Sequence, residues 1–430
     1  HYHLLVGTSD GRVLVGSIAY ITDFLRYDDE SEEPDELEAL HMPTEDEFKA
    51  VDYLPDVKVY EGKLVEHLTS FGFYRTVHAV VRLDRAMDFD GAGKPIQALN
   101  GQISKGAASD DRTTANLVVT GDGRTLLIRE KSTVNMFTDE VEYESDVDDL
   151  TERLTGVPSY VLVNERMQRL ILASRDGLVH VFDWDNERDR FDMKYPAFSV
   201  FAEQSATDEA RPWRDIVNEE REDEGFEASG AKMELTAVSY LFGDQTVIFG
   251  DSRGGLQAWF AVPGEDEGAP RRLTRVRSHP PSKNAIVAVV PSPINKSILA
   301  LDAEGNGRAI NNTGSREYVK FDLDQAVDAG FLSRKGDGIL VAAHNGELHN
   351  WWLDAPHSDT SFSAMFGKVW YEDFEKPEYI WQTTSGTDDA EPKISLVPLI
   401  AGTLKGAIYA LLFSVPLAVL VLLAGLALVP

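Results

Sequence analysis

One pattern recurs along most of this chain. It is an apolar run, a small or acidic residue, a glycine turn, then a second run in which apolar and polar residues alternate. Leu4–Ile18 reads LLVGTSDGRVLVGSI and Asn116–Arg129 reads NLVVTGDGRTLLIR. Leu170–Trp184 (LILASRDGLVHVFDW), Thr246–Phe260 (TVIFGDSRGGLQAWF), Ser297–Ile310 (SILALDAEGNGRAI) and Ile339–Leu353 (ILVAAHNGELHNWWL) follow. Each is a hairpin signature: β-branched and aromatic residues flank a D-G, N-G or G-G pair that supplies the positive φ of a tight turn. Four copies carry a further apolar run upstream, at Ser159–Val163, Ala237–Leu241, Ala285–Val290 and Ala326–Phe331. The unit is therefore at least three strands.

The turn glycines Gly123, Gly177, Gly255, Gly305 and Gly346 are 41 to 78 residues apart. Multi-stranded units at such periods predict an all-β fold, a WD40-like β-propeller. A pair of β-sandwiches, the competing architecture, does not repeat one hairpin six times. The gap between Gly11 and Gly123 has room for another unit, for which Val77–Leu83 with Asp90–Gly91 is the candidate. About seven blades are expected, with six and eight as neighbouring counts. The irregular spacing comes from acidic inserts at Asp28–Glu47, Asp139–Glu152 and Glu203–Glu227, read as solvated surface loops. No D-x-D-x-D-G loop supports cation binding there.

The C-terminus is of another kind. Gly406–Pro430 is 25 residues without a charge. As a helix it spans about 38 Å, enough for a bilayer core. The apolar stretch begins at Ile394 and is interrupted by Lys405, whose long stem lets its charge reach an interface. All 72 acidic residues precede Lys393, and the net charge is −31. The expected organisation is a β-propeller over residues 1–356, a junction over 357–393 and a transmembrane helix over 394–430. His1 in place of an initiator Met reads as a fragment or a processed product.

So acidic a body excludes nucleic-acid binding by phosphate neutralisation and docking on anionic lipid through a polybasic patch. The absence of cysteine excludes disulfide scaffolds and thiol chemistry. No G-x-S-x-G, H-E-x-x-H or phosphate-binding loop occurs. His1 with His3, and His344 with His349, are the histidine pairs; the spacing of the second sets its members on opposite faces of a hairpin. Trp184, Trp259, Trp351 and Trp352 end their runs and are read as packing between blades. Arg271–Arg277 (RRLTRVR) is the one basic cluster, either a surface strand or a small anion patch. No catalytic, cofactor-binding or metal-ligating residue is assigned, and no cofactor is expected. A quinone-dependent propeller enzyme would need a stacking Trp and a calcium site that the sequence does not present.

The stretch before the membrane segment is the most informative. Trp370–Glu372 (WYE), Pro377–Gln382 (PEYIWQ) and Asp388–Lys393 (DDAEPK) lead into Leu396–Lys405 (LVPLIAGTLK) and Ala410–Ala418 (ALLFSVPLA). Together they resemble the permease subunit of bacterial phosphate ABC transporters, in the long form with a large extracytoplasmic domain. The resemblance covers about 50 residues. It implies a membrane component of an ATP-driven phosphate importer in the bacterial inner membrane, its soluble domain on the periplasmic side. The implied partners are a second permease subunit, an ATPase subunit, a periplasmic phosphate-binding protein and the lipid bilayer. It implies no enzyme in this chain, since the ATPase is separate. After Ala418 the sequence departs from the family, so a truncated permease is expected. The acidic domain would then be a docking or regulatory platform. The alternative is a membrane-tethered propeller scaffold that binds other proteins and transports nothing.

Overall fold

The computed structural model describes residues 2–26, 49–51, 54–61, 67–68, 73–91, 93–104, 112–134, 141–201, 233–263, 271–382, 384 and 391–427. These residues fold mostly as antiparallel β-sheet. In the first sheet β1 (Tyr2–Gly7) pairs with β2 (Val13–Arg26). The chain then passes through β3 (Lys49–Val51), β4 (Leu54–Glu61) and β5 (His67–Leu68), and β6 (Phe73–Ala86) returns to β2. Val77–Leu83, expected to open an extra unit, lies within β6 and completes this sheet.

Four sheets of simple up-and-down order follow. The second holds β7 (Ile96–Ile103), β8 (Arg112–Thr120), β9 (Thr125–Val134) and β10 (Val141–Asp149). The third holds β11 (Tyr160–Val163), β12 (Arg169–Ala173), β13 (Leu178–Asp185) and β14 (Arg190–Met193), with β15 (Phe198–Ser199) also pairing β13. The fourth holds β16 (Leu235–Tyr240), β17 (Thr246–Asp251), β18 (Leu256–Val262) and β19 (Arg272–His279). The fifth holds β20 (Ile286–Pro291), β21 (Ser297–Asp302), β22 (Asn306–Asn311) and β23 (Arg316–Asp322). The sixth begins with β24 (Val327–Leu332), β25 (Gly338–Ala343) and β26 (Leu348–Asp354). Its next strand is β4, reached from the connection within the first sheet, with Trp352 opposite Tyr60. The described residues thus hold six repeat sheets, not about seven. The acidic stretch read as a loop at Asp139–Glu152 is, from Val141 to Asp149, the exposed edge strand β10. The other two acidic inserts, Asp28–Glu47 and Glu203–Glu227, lie outside the described residues.

The sheets stack in sequence, and the side-chain period of two explains how. Along β17, Val247 and Phe249 pack toward the third sheet while Ile248 packs toward the fifth. Along β21, Ile298 and Ala300 face the fourth sheet while Leu299 and Leu301 face the sixth. A strand covered on both faces must be apolar at every position, which is why these runs read as continuous rather than alternating. Five such cores lie between consecutive sheets, from first–second to fifth–sixth. The first strands β1, β7, β11, β16, β20 and β24 adjoin one another in that order.

The predicted hairpins join β1 to β2 in the first sheet and the second to the third strand in the others. Their turns share one geometry: Gly11, Gly123, Gly177, Gly254, Gly305 and Gly346 all have φ between 83° and 88°. Each glycine N–H donates to the carbonyl three residues earlier, as in Gly123 to Thr120 at 2.8 Å. This is a three-residue loop with a left-handed glycine rather than a two-residue turn. In the fourth sheet Gly254, not Gly255, holds that position.

Candidate functional site

Beyond β26 the chain does not leave the sheets. A five-residue helix, Phe362–Phe366, is capped by Ser361, whose hydroxyl accepts from Ala364 N at 3.0 Å and donates to Gly314 O at 2.6 Å. Ala364, Val369 and Tyr371 then form a small core with Phe374, Ile380 and Ile394. The two-residue strands β27 (Trp381–Gln382) and β28 (Lys393–Ile394) pair within it. Ser395 N donates to Ile380 O at 2.9 Å and Leu396 N to Met365 O at 2.8 Å. The C-terminal helix, Val397–Ala427, starts from this anchored point. From Val397 to Ala424 it is long and apolar enough to cross a membrane, and none of it is buried by the sheets. Pro416 lies inside it.

The seam between this segment and the sheets is a buried charged network. Lys296, in the β20–β21 turn, donates to Glu372 Oε2 at 2.7 Å and to Phe242 O at 2.6 Å. Thr246, at the start of β17, donates to Glu372 Oε1 at 2.6 Å. Thr313, in the β22–β23 turn, donates to Glu391 Oε1 at 2.6 Å. The two carboxylates meet through the backbone, since Glu372 N donates to Glu391 Oε2 at 2.8 Å. Lys296, Glu372 and Glu391 are all buried. Burial and the neighbouring Glu391 carboxylate push the Glu372 carboxyl above its ordinary value, against Lys296 and Thr246, which hold it down. The turns used here lie at the strand ends opposite the glycine turns.

The arginine cluster belongs to the same seam. Arg271 donates to Asp373 Oδ1 at 2.7 Å. Arg277 donates to Asn312 O, and burial lowers its affinity for the proton, which Glu391 and Tyr371 partly restore. Arg272–His279 is the edge strand β19, as the alternation suggested. Beside it lies a polar cavity of about 1020 Å³. Two ion pairs lie in its walls, Arg169 with Asp183 at 2.6 Å and Arg271 with Asp373.

The other sequence candidates scatter. His1 lies outside the described residues. His344 bonds Asp328 at 3.0 Å and is exposed, whereas His349 contacts Gln325 at 2.7 Å and stacks on Trp351. Among the described residues no group of three or more His, Cys, Asp or Glu is placed to hold a metal ion. Trp259 and Trp351 are buried between sheets, and Trp184 packs edge-on against Phe191. Sequence reasoning missed Lys296, Thr246 and Thr313. The motifs WYE and DDAEPK did contain their partners, Glu372 and Glu391. No protein-family model matches this chain, and no curated protein matches its sequence.

Proposed function

We propose that the six sheets are the blades of a β-propeller, and that the chain is the extracytoplasmic domain and first core helix of the permease subunit of an ATP-driven phosphate importer. One observation carries the reading. The motifs on which the resemblance rests, WYE and DDAEPK, meet at Glu372 and Glu391 and lead directly into the LVPLIAGTLK helix. A motif pair that locks a membrane helix to a folded body is what a fixed extramembrane platform requires. The succession of first strands and the contribution of β4 to the sixth sheet support the propeller. In this reading the partners are a second permease, a separate ATPase, a phosphate-binding protein and the inner-membrane bilayer. Nor is the platform the phosphate receptor in this reading: within its basic cluster Arg271 is engaged by Asp373 and Arg277 by Asn312 O.

The test is uptake of radiolabelled phosphate by source cells at micromolar phosphate. Disruption of the gene should abolish high-affinity uptake, and the intact gene should restore it. Unchanged uptake would remove the importer reading and leave the membrane-tethered scaffold. For the fold, an electron-microscopy reconstruction of the detergent-solubilised chain should show radial blades about a channel. An open stack of sheets would refute the propeller.

A further inference from the structure

Around the root of the C-terminal helix four aromatic side chains face solvent. Phe362 is 76% exposed, Trp381 43%, Tyr379 41% and Phe366 38%. They come from two elements, and in each the local period explains the outward set. On the short helix Phe362 and Phe366 are four apart, with ring centroids 4.8 Å from each other, while Ala364 faces the small core. On the extended run before the helix Tyr379 and Trp381 are two apart and point one way, while Ile380 points into the same core. All four sit close to where the apolar helix begins. Trp381 is paired with Ile394, Met365 O holds Leu396 N, and Ile380 O holds Ser395 N.

We infer that Phe362, Phe366, Tyr379 and Trp381 form a lipid-interface anchor that sets the sheets at a fixed height and tilt on the bilayer. The inference rests on the reading of Val397–Ala424 as membrane-inserted. The occupant is a lipid surface because the patch is continuous with that helix, which is not buried by any of the described residues. Trp and Tyr belong at that depth: their rings favour the acyl boundary and their polar tips favour water. Since Ser395 and Leu396 are hydrogen-bonded to the small core, the helix cannot swivel freely against the patch. Helix and aromatic face therefore act as two legs of one support.

The chain has no cysteine, so single-site spin labels are unambiguous. Phe362→Cys, Trp381→Cys, Phe413→Cys in the helix and Asn345→Cys in the Gly346 turn would each be labelled in the full chain. The labelled proteins would be reconstituted into phosphatidylcholine–phosphatidylglycerol vesicles. Collision with oxygen relative to a water-soluble nickel complex reports depth. The ratio at 362 and 381 should lie between that of 413 and that of 345, at headgroup level. A ratio at 362 and 381 equal to that at 345, with 413 deep, would overturn the anchor and leave the membrane helix standing. A shallow 413 would overturn both. Low collision with both reagents, or broadening that disappears on dilution with unlabelled protein, would assign the face to a protein partner or a second copy and also overturn the anchor.

Discussion

Lys296 Nζ lies 2.7 Å from Glu372 Oε2, and the pair joins parts of the chain 76 residues apart. Lys296 belongs to a turn of the fifth sheet, and Glu372 to the strap that carries the C-terminal helix. Both are almost wholly removed from water, so neither can lose its partner and be rehydrated where it stands. Substituting Lys296 by Met leaves the buried Glu372 carboxylate beside Glu391 without its own cation. The expected loss is about 3–5 kcal/mol, the range for breaking a buried pair from one side. The double variant with Glu372→Gln should recover part of that loss. Denaturant titration of the four proteins in a double-mutant cycle checks it. A loss under about 1 kcal/mol for Lys296→Met would mean that the apolar core around Tyr371 holds the seam by itself.

Two buried groups oppose each other as pH changes. His279 is buried with its Nε2 3.0 Å from Asn312 Oδ1, and desolvation, aided by Arg277 and Arg308, drives it down to about 3. The unfolded chain therefore binds a proton that the folded chain refuses. This contribution is intact above about pH 6.5 and is lost as pH falls, at up to about 1.4 kcal/mol per unit. Glu372 is shifted upward, so the folded chain binds the extra proton, and its contribution is lost as pH rises above about 4.3. The two slopes cancel in part between those limits. Relative to the parent, Glu372→Gln should lose melting temperature faster on acidification, and His279→Gln more slowly. Melts in buffers from pH 4.5 to 7 read this directly. Parallel curves for all three proteins would count against both assignments.

The glycine turns are alike in φ but not in surroundings. A Cβ at Gly305 would stand 2.2 Å from the backbone oxygen of Gln325, in the segment that crosses into the sixth sheet. A Cβ at Gly346 would meet nothing within 4 Å. Gly346→Ala should therefore cost only the left-handed backbone penalty, about 1–2 kcal/mol. Gly305→Ala should cost that and a backbone displacement besides, and so lower the melting temperature by clearly more. Equal losses in calorimetry would show that the crossing segment yields freely.

Much of this architecture is written locally. The six hairpins and the four upstream runs are strands, because a run such as Thr246–Asp251 has no polar face to turn to water and ends at a glycine turn. What the sequence hides is exchange between distant segments. Nothing in Leu54–Glu61 marks it as a strand of the sixth sheet rather than the first, since a strand's own alternation does not say which neighbour it pairs with. The first strands β7, β16, β20 and β24 share a bulge before Ala98, Ala237, Ala288 and Ala329. That repeat of an aliphatic residue, any residue and Ala is legible only once the register is known. The seam was half legible. Glu372 and Glu391 stood in motifs, but Lys296 and Thr313 sit in turns and Thr246 at a strand end, where a lysine or threonine reads as solvated until a strap is found to cover it.

The strap also decides where the chain can be cut. Lys393–Ile394 pairs with β27, Ile394 packs against the small core, and Ser395 is fully buried. These residues belong to the folded body even though the apolar stretch of the sequence already begins at Ile394. A chain ending at Leu396 keeps every one of those contacts and loses only the helix, which none of the described residues buries. It should be soluble and monomeric without detergent, helped by a net charge that disfavours self-association, and should melt within a few degrees of the full chain. A chain ending at Lys393 removes Ile394 from the core and frees the carbonyls of Ile380 and Met365. It should unfold the strap from Phe362 onward while leaving the sheets intact. Loss of Trp370 and Trp381 order in near-ultraviolet circular dichroism, with the far-ultraviolet sheet signal unchanged, is the expected signature. If both truncated chains aggregate, the helix is part of the folding unit and the strap is not its boundary.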